Sequence, residues 1–584
     1  MLTVLFADVD NPNADLPGDN LYRQIQEAVD AASIGDVILV REGVYEPVVI
    51  NTDSLRIQKA ASGDAVVDGN EHDGDENGVE VNANGVTIKG LTVQNASGSG
   101  SLGRGFLVTG DNNTLTGNTA SFNRREGFFL DDSNGNTLKD NTASGNTRGF
   151  RLDDSNGNTL KGNTASGNGF GGFRLTDSHG NTLKGNTASD NVINGFFLGG
   201  SGGSDGNTLT GNTASDNGNA GFRLSGSDGN TLKGNRASDN GNNGFGLSNG
   251  SDGNTLKGNR ASDNGNNGFS LVGSDNNTLK GNTASENGFA GFRLTDSHGN
   301  TLKGNRASDN GDNGFALING SDDNTLWGNR ASDNAEHGFF LDGSDGNTLT
   351  GNAASGNVLA GFLLLNGSDG NTLAGNTASD NVTNGFFLGF SGGNTLKGNR
   401  ASDNGNNGFV LDGSDGNTLA GNTASDNGNN GFRLSGSDGN TLKGNRASDN
   451  GNNGFRLGFR GGSGGSDGNT LTGNTASDNG GDGFRLQRGS DSNTLTHNWA
   501  LHNTGDGFRV INSDNNTLEH NWAMHNEGNG FALVNGSDNN TLNHNKARHN
   551  DGWGFLVDAV MANMFDKNHC KHNGLGDSNQ PGIC

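Results

Sequence analysis

The chain has 584 residues, 104 of them glycine, with four prolines and only 29% hydrophobic residues. That composition excludes a string of ordinary globular domains and leaves disorder or a repeat architecture; the 31 phenylalanines sit at fixed intervals, which decides for the repeat. A net charge of −26 excludes a general nucleic-acid binder, which needs a basic footprint, and no run of about 18 apolar residues offers a membrane span.

Residues 1–50 read as an N-terminal cap and first coil. The opening MLTVLFADVDNPNAD has an apolar patch but no basic flank, so it lacks the pattern of a signal peptide. LYRQIQEAVDAA, residues 21–32, puts Leu21, Ile25, Ala28 and Val29 on one helical face. This predicts a short amphipathic helix closing the open end of a solenoid core. GDVILVREGVYEPVVI and SLRIQKA read as strands of the first coils, and residues 51–110 as irregular early coils.

From residue 111 to 556 one text returns: N-T-L-x-x-N-x-A-x-x-N, a loop, G-F-x-L, a second loop, S-D-x. The leucines of NTL, from Leu115, Leu138 and Leu160 to Leu542, are mostly 23 residues apart, with intervals from 22 to 29. The apolar positions come in short bursts of period two, which means strands. Glycine, asparagine and aspartate between the bursts supply turns. Three strands and three turns in 22–24 residues predict one coil of a parallel β-helix; a leucine-rich repeat would need more leucines. Asn118, Asn141 and Asn163 recur at one turn, where a ladder of side-chain amides would satisfy buried polar groups. Glycine-rich insertions at 199–206 and 457–468 read as bulging loops. Residues 557–584 read as a last coil, with Met564–Phe565 continuing the series, and a C-terminal cap. Cys570 and Cys584 either pair, implying an oxidising compartment, or stay free.

On these residues the chain resembles a known group. IQEAVDAASIGDVILVREGVYEPVVI resembles the opening of right-handed parallel β-helix proteins of the pectin-lyase-like superfamily, and the N-x-x-x-N-x-A…GFxL text is similar to the repeats of its NosD-like group. The resemblance covers nearly the whole chain. It implies one all-β, right-handed parallel β-helix with a short N-terminal capping helix. It also implies carbohydrate or cell-surface business in an extracellular, periplasmic or surface location, and leaves activity open, since the superfamily holds lyases, hydrolases, epimerases, adhesins and non-catalytic members.

The x of GFxL is expected to face outward, because Phe and Leu face the core. Down the chain this column includes Arg151, Arg174, Phe197, Arg223, Arg293, Phe340, Phe387, Arg433, Arg456, Arg485 and Arg509. Guanidinium groups suit uronate carboxylates and aromatic faces suit sugar rings, and in the resembling superfamily this face lines the substrate groove. The expected function is non-catalytic binding of a polysaccharide, an acidic one first, with a polysaccharide lyase as the alternative. The competing view is that these arginines pair with Asp153, Asp154 or Asp177 and only keep the surface soluble. A lyase would call for calcium among carboxylates, or for one coil unlike its neighbours; no such coil stands out in the text.

Eight of the twelve histidines fall in residues 497–572. Seven of these form two columns, His497, His520, His544 and His502, His525, His549, His572, with neighbours one coil, about 5 Å, apart. Imidazoles at that spacing can share copper, zinc or nickel. The resemblance to NosD-like proteins, which are associated with copper handling, makes a copper accessory role the third reading. The competing view is a repeated polar ladder on solvated turns, and no column of Cys or Met accompanies it to suit copper(I). Trp499 and Trp522 flank the columns and suit sugar stacking or a partner.

Overall fold

The computed structural model describes residues 3–11, 14–15, 20–71, 76–458, 464–558 and 562–584. Among them the fold is all-β, about 23 coils of a right-handed parallel β-helix with one short α-helix, Ile25–Ala31. The coils divide between two compact units, Met1–Phe289 and Ala290–Cys584. No helix among the described residues is long and apolar enough to cross a membrane.

Each regular coil gives one strand to each of three parallel sheets. T-L-x enters the first, T-A-S or R-A-S the second and F-x-L-x the third. In the first unit, Thr231, Leu232 and Lys233 lie in register with Thr255, Leu256 and Lys257, and Phe222 with Phe245. In the second, Leu442 pairs with Leu471 although 29 residues separate them, so the insertion between is looped out of the coil. Residues 459–463 of that insertion lie outside the described residues. The insertion at 199–206 is likewise looped out, leaving Leu183 opposite Leu209, and Asp177 Oδ1 accepts from the Gly202 N–H at 2.6 Å.

The core is built by repetition of identical contacts. Phe222 stacks on Phe245 with ring centroids 4.8 Å apart, and Phe432 on Phe455 at 4.7 Å. Burying such a ring stabilises by about 1.5–3 kcal/mol. The glycine before each phenylalanine is required by close approach: a Cβ on Gly221 would meet Ala237 Cβ at 2.8 Å and Gly244 O at 2.9 Å.

Three asparagine ladders, not the single one expected, line the corners. Asn141 Nδ2 donates to Asn163 Oδ1 at 3.0 Å and to Leu115 O at 2.9 Å. At the other two turns Asn136 Nδ2 donates to Asn158 Oδ1 and Asn146 Nδ2 to Asn168 Oδ1. A serine ladder joins them, as where the Ser133 N–H donates to Ser155 Oγ at 3.0 Å. Thus nearly every buried turn polar group has a partner in the next coil.

The N-terminal helix is shorter than expected. Leu21 belongs to a strand, Leu21–Tyr22, paired with Phe6 and Ala7. A capping box between Gln24 and Glu27, with the Gln24 N–H donating to Glu27 Oε2 at 2.9 Å, starts the helix only at Ile25. Ile25, Ala28 and Val29 are buried, as the pattern predicts. The helix packs beside Val48–Ile50, the first strand of the third sheet. At the other end Cys570 and Cys584 form a disulfide with Cα atoms 5.6 Å apart, which resolves the alternative left open by the sequence.

Candidate functional site

Two surfaces depart from the plain repeat: the outer face of the third sheet and the turns of the late coils. On the third sheet the column expected to be exposed is half-buried. Arg151, Arg174, Phe197, Arg223, Arg293, Phe340, Phe387, Arg433, Arg456, Arg485 and Arg509 are all of intermediate exposure, and Phe129 and Val410 are buried. The physical reason is the loop before each G-F, which stands beside the strand and makes the column the floor of a groove rather than a crest.

In the first unit this groove starts from a coil that is unlike its neighbours. Glu126 is fully buried, and its carboxylate faces Arg104 at 3.3 Å, Arg148 at 3.1 Å and Arg151 at 3.1 Å. Burial alone would raise its pKa; the hydrogen bond and charge of Arg151, with the charges of Arg104 and Arg148, outweigh it and hold the carboxyl below its ordinary range. The Phe129 ring lies between the guanidiniums of Arg104 and Arg151, 4.5 and 4.9 Å from its centroid. Arg151 also forks onto Asp153. Glu126 is thus committed to three cations and is not free to act as a base. Sequence reasoning missed Arg104, Glu126 and Arg148. The signal was the residue before G-F, which is Asn or Ala in most coils and Glu126 or Arg148 here.

In the second unit, Arg433, Arg456, Arg485 and Arg509 stack in successive coils. Burial first, then the charges of Arg485, Arg433 and Arg488, lower the Arg456 pKa to about 10. Asp482 and Asp506 partner Arg485 and Arg509 at 3.1 and 3.5 Å. Nearer the start of this unit, Asp312 and Glu336 share a groove with Arg293 and Phe340. A hydrogen bond between the two carboxyls raises the pKa of Glu336.

The late coils differ at the turns. In regular coils the residue after T-L-x is glycine at positive φ, as Gly211 (62°) and Gly234 (61°); in three successive late coils it is His497 (58°), His520 (55°) and His544 (52°). A left-handed backbone disfavours a side chain by about 1–2 kcal/mol, so each exchange strains the coil. The other column, His502, His525 and His549, replaces an aspartate already at positive φ and lies exposed.

The column that displaces glycine holds the donors. The rings of His497 and His520 stack at 5.0 Å, and those of His520 and His544 at 4.9 Å. Glu519, His520 and His544 each bring one donor atom within 4.8 Å of the others. His520 Nδ1 lies 3.5 Å from Glu519 Oε1. His544 Nδ1 is buried without a hydrogen-bond partner, as is Oδ1 of Asn543, whose residue lies opposite Glu519 in the first sheet. Of the six histidines expected as ligands, the structure therefore gathers His520 and His544. His497 stacks at the exposed end, and His502, His525 and His549 form a separate stack at 5.1 Å spacing. Glu519 was not anticipated, although it interrupts a position held by Thr or Lys in most coils. Trp499 stacks on Trp522 at 4.6 Å, and Lys546 covers the latter at 4.1 Å.

A search of curated proteins finds no match to this chain. Among solved structures, the periplasmic alginate epimerase AlgG is similar at 16% identity over 55% of this chain and 81% of its own, with a TM-score of 0.35. Pectate lyase Pel9A is similar at 21% identity over 45% and 80%, with a TM-score of 0.38. The Dettilon tailspike protein is similar at 17% over 58% and 68%, with a TM-score of 0.40. A family described as "Right handed beta helix region" matches residues 458–570. The family described as "Periplasmic copper-binding protein (NosD)" matches residues 30–205, 161–267, 242–384 and 363–463, together well over half of the sequence, and the chain belongs to that NosD family.

Proposed function

We propose that the late coils bind one divalent transition-metal ion, copper(II) foremost, and that the protein serves metal handling in the periplasm. The observation that carries this reading is the buried, unpartnered Nδ1 of His544 beside His520 and Glu519. Leaving such a nitrogen unsatisfied costs about 1–3 kcal/mol, and three consecutive glycine-to-histidine exchanges at positive φ add strain. Strain and unmet polarity at one place are what a ligand site retains. Two imidazoles and a carboxylate suit copper(II), zinc or nickel, and copper(II) binds such donors most tightly of the three. The set does not suit copper(I), which favours thiolate and thioether ligands. Both cysteines are committed to the disulfide, a bond that fits an oxidising compartment. The family's description names copper and the periplasm, and its match covers residues 30–463, the coils that precede this site.

The test is titration of the untagged chain with copper(II), read by calorimetry and by electron paramagnetic resonance. One equivalent with nitrogen hyperfine structure is expected. His520→Gly with His544→Gly restores the residue of the regular coils and should abolish uptake. His525→Asp with His549→Asp restores the other turn and should leave uptake intact. Full uptake by the glycine variant would sink the reading. The glycan-binding expectation concerns a different surface, the third sheet, and shares no residue with the metal cluster.

A further inference from the structure

One stretch of the second unit breaks the alternation of arginine and aromatic. Ala316, Phe340, Leu363, Phe387 and Val410 lie in register in five successive coils, so the column holds no charge over that length. The next residues in register are Arg433 and then Arg456. Phe340 to Arg433 is four coil steps, about 19 Å at strand spacing. A hollow of about 420 Å³ lies on this stretch, with Leu359, Leu363, Leu365 and Phe387 in its wall, and almost all the surface it exposes is apolar. The neighbouring loops depart from the repeat in the same sense. Val358 and Val382, 50% and 61% exposed, stand where later coils have Gly405, Gly428 and Gly451. A contiguous apolar patch left open in this way marks a binding surface.

The two ends of this trough differ in sign. Phe340 also lines the adjoining hollow, where Asp312 and Glu336 outnumber Arg293. At the other end cations prevail. Asp412 acts on Arg433, and Asp482 and Asp506 pair with Arg485 and Arg509. Even so, the charges of Arg485, Arg433 and Arg488 add to burial in lowering the Arg456 pKa to about 10. Between the ends, His337 in the wall is neutral: its Nδ1 accepts the Ala360 N–H at 3.1 Å, and burial holds its pKa at about 4. The matching occupant is apolar along its length, anionic at one end and narrow enough for a single column of side chains.

We propose that this trough binds a single-chain anionic amphiphile, a long-chain carboxylate, with its tail along Phe340, Leu363 and Phe387 and its head at Arg433 and Arg456. This goes beyond the metal reading and does not depend on it.

The experiment is calorimetric titration of the full chain, in chelator, with octanoate, decanoate and dodecanoate, each below its micelle concentration. Affinity should rise about two- to fourfold for each methylene added, the upper value being full burial. Dodecyltrimethylammonium should bind about tenfold more weakly than dodecanoate or worse. Dodecanedioate should do the same, because its second carboxylate meets Asp312 and Glu336. Leu363→Ser with Phe387→Ser supplies the residue that the column already carries at Ser270, and should flatten the chain-length series. Arg433→Gln with Arg456→Gln should weaken dodecanoate about tenfold or more while the series keeps its slope. The His520→Gly/His544→Gly protein should bind dodecanoate as the parent does, so failure here and failure of the metal reading are distinguishable. Absence of dodecanoate binding, equal affinity for octanoate and dodecanoate, or an unchanged series in the serine variant overturns the proposal. So does binding of the ammonium or the dicarboxylate as tight as that of dodecanoate, or unchanged binding in the glutamine variant.

Discussion

The side-chain amide of Gln26 pairs with the backbone of Val49 as a neighbouring strand would: its Oε1 accepts the Val49 N–H at 2.7 Å and its Nε2 donates to Val49 O at 3.2 Å. Val48–Ile50 is the first strand of the third sheet, and an open parallel edge there would template association with another chain. Gln26→Leu keeps the helix and removes both bonds, a loss of about 1–2 kcal/mol at that edge. Light scattering should show the variant shifting to larger species than the parent at equal concentration. Identical profiles would mean that the helix backbone alone protects the edge.

Asn186 sits mid-ladder, accepting from the N–H of Asn163 at 2.9 Å and from Asn163 Nδ2 at 3.0 Å, and donating to Leu160 O at 2.9 Å. Asn186→Ala strands the buried Asn163 N–H and takes a partner from three further groups, Asn163 Nδ2, Leu160 O and Asn212 Oδ1, a cost of about 2–4 kcal/mol. Because each coil touches only its neighbours, the damage should be local. Hydrogen exchange should quicken in the coils on either side of residue 186 and leave the late coils unchanged. A uniform change along the chain would contradict that locality.

The ladders and the coil were legible because they recur: N-T-L-x-x-N repeats whatever surrounds it, and period-two bursts fix which side chains face the core. What the text concealed was height above the surface. The column containing Arg174 and Phe197 alternates correctly with the core, yet the loops beside it convert an outward position into a groove floor. Singular positions were also hidden, because a repeat draws attention to what is shared. Glu126 before G-F, and Glu519 before His520, are each one letter in an otherwise regular column, and their meaning depends on which coils lie next to them. The histidines were visible as two equal columns. The φ angles are alike in both, 52–58° in one and 53–55° in the other; what separates the columns is the residue each displaces, glycine in one and aspartate in the other.

Glu126→Gln should be among the most damaging single changes in the first unit. It leaves Arg104, Arg148 and Arg151 with a neutral partner in a buried site, and breaking such a pair costs about 3–5 kcal/mol. The wild-type carboxyl is held below its ordinary range. The unfolded chain therefore takes up the proton first as pH falls, and the stability that Glu126 contributes is present above its unfolded value of about 4.3 and lost as pH falls below it. Acid unfolding of the first unit should lose its steep step below that pH in the variant. An unchanged acid profile would show that the arginines are neutralised by other groups.

His337 gives the second unit a separate pH response. Burial lowers its pKa to about 4 against the charge of Asp312, and its Nδ1 accepts the Ala360 N–H at 3.1 Å. The unfolded imidazole protonates near 6.5, so between about 6.5 and 4 the unfolded state binds more protons. The stability tied to His337 is full above that window and lost as pH falls through it. Glu336, raised by its bond to Asp312, pulls the other way above its ordinary range, so the residue-specific readout is the imidazole resonance itself. Its midpoint should lie near 4; one near 6.5 would remove the effect.

The metal cluster predicts an inversion of stability. Without metal, His520→Gly removes a side chain from a φ of 55° and should stabilise the late coils by about 0.5–1 kcal/mol after the greater freedom of unfolded glycine is counted. With copper(II) at a hundredfold excess over its dissociation constant, the parent gains about 2.7 kcal/mol that the variant lacks. The order of melting should therefore reverse between chelator and copper. Three of the four tryptophans, Trp499, Trp522 and Trp553, lie in these coils, so in a Trp327→Phe background fluorescence follows this segment alone. If the parent melts higher in both conditions, His520 stabilises by stacking between His497 and His544, and the strain argument fails. If the variant melts higher in both, no ion binds at that column.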